Sequence, residues 1–219
     1  MLEQLIHSLQ ATTTRLFQPK ICPLCAAQLT KTQQLICEPC YQALPWQTVA
    51  NKQAATPLLS AFTYASPIKQ LILKGKTSQN LDKLHLLASL LRCYFPTIIT
   101  ELPEAILPIP LHPKRLRQRG FNQSVELARP LAKQLGIPLL LTQVARQRHT
   151  DEQKKLAAAE RQHNLEQAFR LTRPLLYKHI AIFDDVVTTG ATCAELEALL
   201  IDQGVEKVQI WCCAQTKMT

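Results

Sequence analysis

HIAIFDDVVTTGATCAE, running from His179 to Glu195, is the stretch on which the fold turns. It opens on the apolar run Ile180-Ala181-Ile182-Phe183, passes through Asp184 and Asp185 to the β-branched pair Val186-Val187, and reaches the small polar loop Thr188-Thr189-Gly190-Ala191-Thr192. A helical pattern follows at once. The succession predicts a buried strand, an acidic tip, a loop of phosphate size and a helix N-terminus. The first turn of a helix carries N–H groups without intrahelical partners and a partial positive charge, so it attracts phosphate. Threonine hydroxyls add donors, and Gly190 permits close backbone approach or a positive φ. A phosphate held there leaves the two carboxylates facing the sugar that bears it, and two adjacent acceptors suit two vicinal hydroxyls. A plain parallel strand with an ordinary capped helix accounts for an Asp-Asp pair at a strand end but not for the whole string.

The string resembles the phosphoribosyl-pyrophosphate (PRPP) motif of type I phosphoribosyltransferases. Moving outward, a second informative stretch lies upstream, AILPIPLHPKRLRQRGFNQ at 105–123. A short apolar strand, Ala105 to Ile109, runs into a proline-punctuated loop with Lys114, Arg115, Arg117 and Arg119 before Gly120. Cations so crowded repel one another unless solvent or an anion relieves them. A solvated basic loop and a pyrophosphate cradle are the two readings. Asn122 to Leu135 reads as a helix with Leu127, Leu131 and Leu135 on one face, ending at Gly136.

Between these stretches, Leu139 to Leu141 reads as a strand. Arg146, Arg148, His149, Thr150 and Gln153 then form a polar loop without glycine, and a helix begins near Lys155. Long polar loops between a strand and a helix often close over substrates; a solvent-facing connection is the plain alternative. His149 and His163 are isolated and are not read as bases. Upstream, Leu58 to Ala65 reads as a strand, and Pro67 to Leu73 and Leu81 to Phe95 as helices. Lys74 and Lys76 flank Gly75 in a turn that either faces solvent or touches phosphate. Downstream, a helix at 192–203 leads to a last strand, Lys207 to Ala214.

The N-terminal part reads differently. Cys22-Pro-Leu-Cys25 and Cys37-Glu-Pro-Cys40 are separated by eleven residues. Two Cys-x-x-Cys knuckles supply four thiolates, enough for a closed, structural zinc site. Two disulfides or an iron–sulfur cluster are the alternatives, and the lack of a secretory pattern at the N-terminus speaks against disulfides. An amphipathic helix is expected at 1–17 from Leu2, Leu5, Ile6 and Leu9. The expected organisation is residues 1–45 as helix plus zinc module, 46–57 as linker and 58–219 as an α/β domain. Cys93, Cys193, Cys212 and Cys213 lack partner spacing and read as buried thiols, although Cys193 lies in the first turn of the phosphate helix, where a thiol pKa can fall.

Composition bounds the rest. The 219 residues are 47% hydrophobic, enough for one sizeable domain and a small module, with a packed core. No run approaches the roughly 20 apolar residues of a membrane span, so no membrane insertion and a cytoplasmic location are expected. A net charge of +9 favours phosphorylated or polyanionic partners.

The whole chain is similar to the ComF family, the amidophosphoribosyltransferase-like competence proteins. The likeness rests on the four cysteines, Pro108-Ile109-Pro110, Arg119-Gly120-Phe121-Asn122-Gln123, Arg148-x-Thr150-x-x-Gln153, Arg161-x-x-Asn164-Leu165 and the run from Asp184 to Thr192. Gly75 departs from the family, where an aromatic residue often follows the lysine. The resemblance implies a mostly parallel type I phosphoribosyltransferase-like sheet flanked by helices, preceded by the zinc module. It implies PRPP with Mg²⁺ as ligand: Thr188, Thr189, Gly190, Ala191 and Thr192 on the 5′-phosphate, Asp184 and Asp185 on the ribose, and Lys114, Arg115 and Arg119 on the pyrophosphate. Arg148, Thr150 and Gln153 would belong to a flexible loop over the site. The family is linked to uptake and use of DNA and has no established phosphoribosyl acceptor. Two roles are therefore carried forward, transfer of phosphoribosyl to an acceptor and non-catalytic, PRPP-regulated binding of single-stranded DNA. A third role is that of a zinc-module scaffold that docks a DNA-uptake helicase or another uptake partner.

Overall fold

The computed structural model of the protein describes residues 20–30, 35–47, 56–147 and 168–216. The expected helix at 1–17, most of the linker, the loop residues Arg148, Thr150 and Gln153, the helix near Lys155, and Arg161, Asn164 and Leu165 lie outside the described residues. The chain divides into two compact units, Met1–Leu44 and Pro45–Thr219.

In the first unit, the chain turns tightly around the first cysteine knuckle. Cys22 N donates to Ala27 O at 2.7 Å, Ala26 N donates to Cys22 O at 2.8 Å, and Ala26 takes a φ of 60°. A five-residue helix, α1 (Glu38–Gln42), starts at Cys37, so Cys40 falls within it.

The second unit contains β1 (Leu58–Thr63), α2 (Ile68–Lys74), α3 (Leu81–Ile98), β2 (Ala105–Pro108), α4 (Pro113–Arg119), α5 (Gln123–Leu135), β3 (Val144–Arg146), β4 (Phe169–Leu171), β5 (His179–Val187), α6 (Ala191–Asp202) and β6 (Lys207–Gln215). The main sheet is parallel throughout, in the order β1-β6-β5-β2. The interior strands β5 and β6 are apolar on both faces, as a parallel sheet covered by helices requires. On one face Ile180, Ile182, Ile210 and Cys212 join Leu196 and Leu200 of α6. On the other, Phe95 of α3 meets Trp211 at 5.3 Å and Phe183 at 6.2 Å between ring centroids. α3 also packs against α5. No helix among the described residues is long and apolar enough to cross a membrane.

Two elements differ from the sequence expectation. The basic stretch after β2 is helical. His112 caps it by accepting from Lys114 N at 3.2 Å, Pro113 takes the first turn, and Gly120 ends it at φ 83°. These are helix start and stop signals, and the spacing of the cations hid them. The strand expected at Leu139–Leu141 is a single bridge, Leu139 to Ile106. Pro108, Pro110 and Pro138 have no N–H to lend to a longer ladder at this edge. The regular strand β3 begins at Val144 and pairs antiparallel with β4.

The two edge strands β1 and β2 leave the sheet by different connections, and β5 lies beside β2. In open α/β sheets the crevice at the carboxyl ends of such strands is where ligands bind.

Candidate ligand site at the carboxyl ends of the strands

β5 ends in the acidic pair and delivers the chain to α6 through Gly190, whose φ of 77° is left-handed and costs a glycine little. Gly190 offers no side chain to cap the helix. The turn from Val186 to Cys193, with Asp184, lines a recess of about 40 Å³. The recess is polar at its mouth, at a helix N-terminus, and of a size for one phosphoryl group. Thr188 and Thr189 are exposed beside it, and Thr216 Oγ1 donates to Thr188 O at 3.4 Å. Cys193 is buried under the loop, and that burial, with Asp184 nearby, drives its thiol well up. The helix end therefore does not activate Cys193, which packs.

A second cavity of about 140 Å³ adjoins the first and shares Asp184 and Thr192 with it. Its walls carry Lys76, Arg115, Arg119 and Arg146 around Asp184 and Asp185, with Gln123 and Ser124. Asp184 is held from two directions: Ser124 Oγ donates to Asp184 Oδ1 at 3.1 Å, and Asp185 N donates to the same oxygen at 2.8 Å. Desolvation first, and then the adjacent Asp185, push the Asp184 carboxyl well above its ordinary range. Asp185 Oδ2 lies 3.7 Å from Lys76 Nζ. Arg119 donates through Nη1 to Gln123 Oε1. Burial and the neighbouring Arg115 both work against the Arg119 charge, and Asp185 supports it. An anion seated in this cavity would relieve that repulsion. The Nε2 of buried Gln123 has no hydrogen-bond partner among the described residues.

The helical form of α4 sorts its cations. Arg115 and Arg119, four residues apart, share a face and line the cavity, whereas Lys114 and Arg117 are exposed and do not. Asn122 anchors the far end of this segment. Its Oδ1 accepts from Ser124 N at 3.0 Å as the cap of α5, and its Nδ2 donates to Ile109 O at 2.9 Å. One residue thereby sets the helix start and ties it to the end of β2.

No family model matches the chain. It is 37% identical over 201 residues to the DNA utilization protein YhgH of Shigella flexneri, covering 90% of this chain and 84% of that protein. The chain belongs to the ComF family. Another relative is competence protein F of Haemophilus influenzae, 43% identical over 114 residues, which is 51% of this chain and 50% of the relative. Among solved structures, the adenine phosphoribosyltransferase of Leishmania donovani covers 78% of this ComF protein and 86% of its own chain at 12% identity and a TM-score of 0.42.

The ComF protein's four-cysteine module fits a metal. The Sγ atoms of Cys22, Cys25, Cys37 and Cys40 all lie within 4.8 Å of one another, and Cys25 Sγ and Cys37 Sγ are 3.5 Å apart. Such a cluster can hold a structural zinc, closed by four thiolates with no place for water. The thiols are already unequal. Burial would raise Cys22, but the backbone N–H groups of Cys37, Leu24 and Cys25 outweigh it and bring the thiol down to about 6. Cys37 is lowered by the Cys40 backbone yet raised further by burial and the thiols of Cys25 and Cys22. Cys40 is raised, chiefly by Cys25.

Four cavity residues of this ComF protein escaped assignment from sequence. Lys76 sits in a turn that the sequence leaves open between solvent and phosphate, Gln123 belongs to a family motif without an assigned role, and Ser124 reads as helix. Their signal was the cap: a polar pair directly after Asn122 occupies the first turn, where side chains face the strand ends. Arg146, which the sequence places in the polar loop, ends β3, its guanidinium 5.3 Å from the Phe169 ring.

Proposed function

We propose that this protein binds PRPP with Mg²⁺ at the carboxyl ends of β2 and β5, in a phosphoribosyltransferase-type site serving DNA utilisation or competence. The observation that carries the reading is the pair of adjoining cavities meeting at Asp184 and Thr192. One suits a single phosphoryl group at a helix end. The other is ringed by cations and suits a diphosphate. The carboxylates between them suit a vicinal diol. PRPP has these three parts in this order.

The donor set fits Mg²⁺, since carboxylate oxygens are hard ligands that suit it, usually together with water and phosphate oxygens. Two carboxylates do not make a cation site by themselves, so the ion would arrive with the ligand's oxygens. When bound, it would neutralise charge on the departing pyrophosphate. The chain's own part is positional and electrostatic. Loop 188–192 holds the 5′-phosphate, Asp184 and Asp185 orient the ribose hydroxyls, and Arg115 and Arg119 draw the pyrophosphate away from C1 as the C1–O bond breaks. An acceptor then takes the phosphoribosyl group and pyrophosphate leaves.

Titration calorimetry of the zinc-replete protein with PRPP, with and without Mg²⁺, tests the ligand, with the double variant Asp184→Ala, Asp185→Ala as control. Mg²⁺-dependent binding that disappears in the control is expected. No binding to folded protein would overturn the reading. The +9 charge supports a second role, salt-sensitive binding of single-stranded DNA. Trp211, Phe62, Phe95 and Phe183 are fully buried and cannot stack on bases, so phosphate contacts would carry most of this binding. Affinity unchanged between low and high salt would sink it.

A further inference from the structure

Lys76 belongs to neither of the two phosphate-binding stretches. It follows α2, in the connection from edge strand β1, whereas Arg115 and Arg119 come from the connection after the opposite edge, β2. The acidic tip of β5 is thus flanked by cations from two separate crossovers. Lys76 is also ion-paired with the tip: Nζ lies 3.7 Å from Asp185 Oδ2, with the lysine side chain 36% exposed and the aspartate 17%. Its placement is built in by the residue before it. Gly75 is buried with its N–H on Leu71 O at 2.8 Å, and a Cβ there would stand 2.8 Å from Leu84 Cγ and Cδ2. Only a residue without a side chain lets the turn settle on α3, and that close approach fixes where Lys76 leaves the backbone.

We propose that Lys76 is an internal counter-ion for Asp185, occupying the place at that carboxylate which a divalent cation takes, so that lysine and cation compete. The inference rests on the reading of the site as one for PRPP with Mg²⁺. An anionic diphosphate approaching two carboxylates needs positive charge between them. In the cation-free protein Lys76 supplies it. When a divalent cation arrives with the phosphate oxygens, the ammonium group yields Asp185, as its partial exposure allows. Lysine suits this exchange better than arginine would in one respect: it is a point charge on a flexible stem, without a bidentate grip to break.

The test uses inorganic pyrophosphate as probe, titrated calorimetrically into the zinc-replete full chain over a series of Mg²⁺ concentrations including none. Wild type, Lys76→Met, Lys76→Arg and the Asp184→Ala, Asp185→Ala control are compared, and circular dichroism verifies folding. Lys76→Met should weaken Mg²⁺-free binding about tenfold, the loss expected of one charge-assisted contact. It should also lower the Mg²⁺ concentration giving half-maximal pyrophosphate binding, because the competitor has gone. Lys76→Arg should restore the Mg²⁺-free affinity. An equal loss with and without saturating Mg²⁺, and an unchanged Mg²⁺ midpoint, would make Lys76 an ordinary phosphate contact and overturn the proposal. No change in either quantity would make it a solvated lysine and overturn it equally. In both cases wild-type binding that depends on Asp184 and Asp185 leaves the site reading standing. Wild type that binds neither pyrophosphate nor PRPP removes both.

Discussion

Replacing Gly75 with alanine measures how tightly the turn before Lys76 is seated. Gly75 sits at φ −65° and ψ −2°, an ordinary right-handed conformation. Alanine adopts it without strain, and the loss of glycine's freedom in the unfolded chain alone would stabilise by about 0.4–1 kcal/mol. Space decides otherwise. The new Cβ would meet Leu84 Cγ and Cδ2 at 2.8 Å and the Leu71 carbonyl oxygen at 3.1 Å. Leu84 is fully buried, so it has no solvent to swing into, and the carbonyl belongs to α2 itself. Overpacking of this kind costs about 1–3 kcal/mol. Taken at their midpoints, about 2 against about 0.7 kcal/mol, the two effects leave a net loss of about 1.3 kcal/mol, which in a domain of this size lowers Tm by about 3–5 °C. Thermal unfolding followed by circular dichroism on the zinc-replete protein reads the loss. A Gly75→Ala variant as stable as wild type, or more so, would refute the steric argument. The turn would then have moved without penalty, and nothing in its packing would fix Lys76.

Three further outcomes follow from the same geometry. Asp184→Asn should gain on wild type in Tm as pH rises. The native carboxyl keeps its proton above the ordinary range, so the unfolded chain releases a proton first, above about pH 4, and wild-type stability falls from there through the raised native pKa; a Tm difference independent of pH would contradict this, and the variant should still lose PRPP binding. Arg115→Ala should weaken pyrophosphate binding about tenfold while Lys114→Ala changes it less than about twofold, because only Arg115 lines the cavity; equal losses by calorimetry would mean that α4 does not sort its cations. Cys37→Ser should lower zinc content, measured by elemental analysis, and make residues 20–44 more susceptible to proteolysis, since the metal's binding energy is folding energy in so small a module; full zinc content with unchanged proteolysis would rule out the four-thiolate site.

Much of this protein was legible residue by residue. The apolar runs of β5 and β6 announce a parallel sheet covered on both faces, because only such strands are hydrophobic on consecutive residues. The string from Asp184 to Thr192 carries its own local geometry: an acidic strand end, a left-handed glycine and a helix start, all set within a dozen residues. The paired Cys-x-x-Cys knuckles likewise state their chemistry through spacing. Where local signals competed, the sequence misled. Lys114, Arg115, Arg117 and Arg119 read as a loop because charge masked the cap at His112, the proline and the closing glycine. The short strand at Leu139 was cut back by prolines on both sides of the pairing, a non-local effect.

Tertiary structure alone decided which cations meet the carboxylates. Lys76 comes from the crossover between β1 and β2, and Arg115, Arg119 and Arg146 from the one between β2 and β5; the two converge only because β1 and β2 became the sheet's two edges and β5 an inner strand. Strand order depends on pairing between segments far apart in the chain, and no local pattern encodes it. The same holds for the raised Asp184 carboxyl, since desolvation and the Ser124 bond arise from elements 60 residues apart. Motifs are written in neighbouring residues, whereas the field at a carboxylate is summed over everything the fold brings near it.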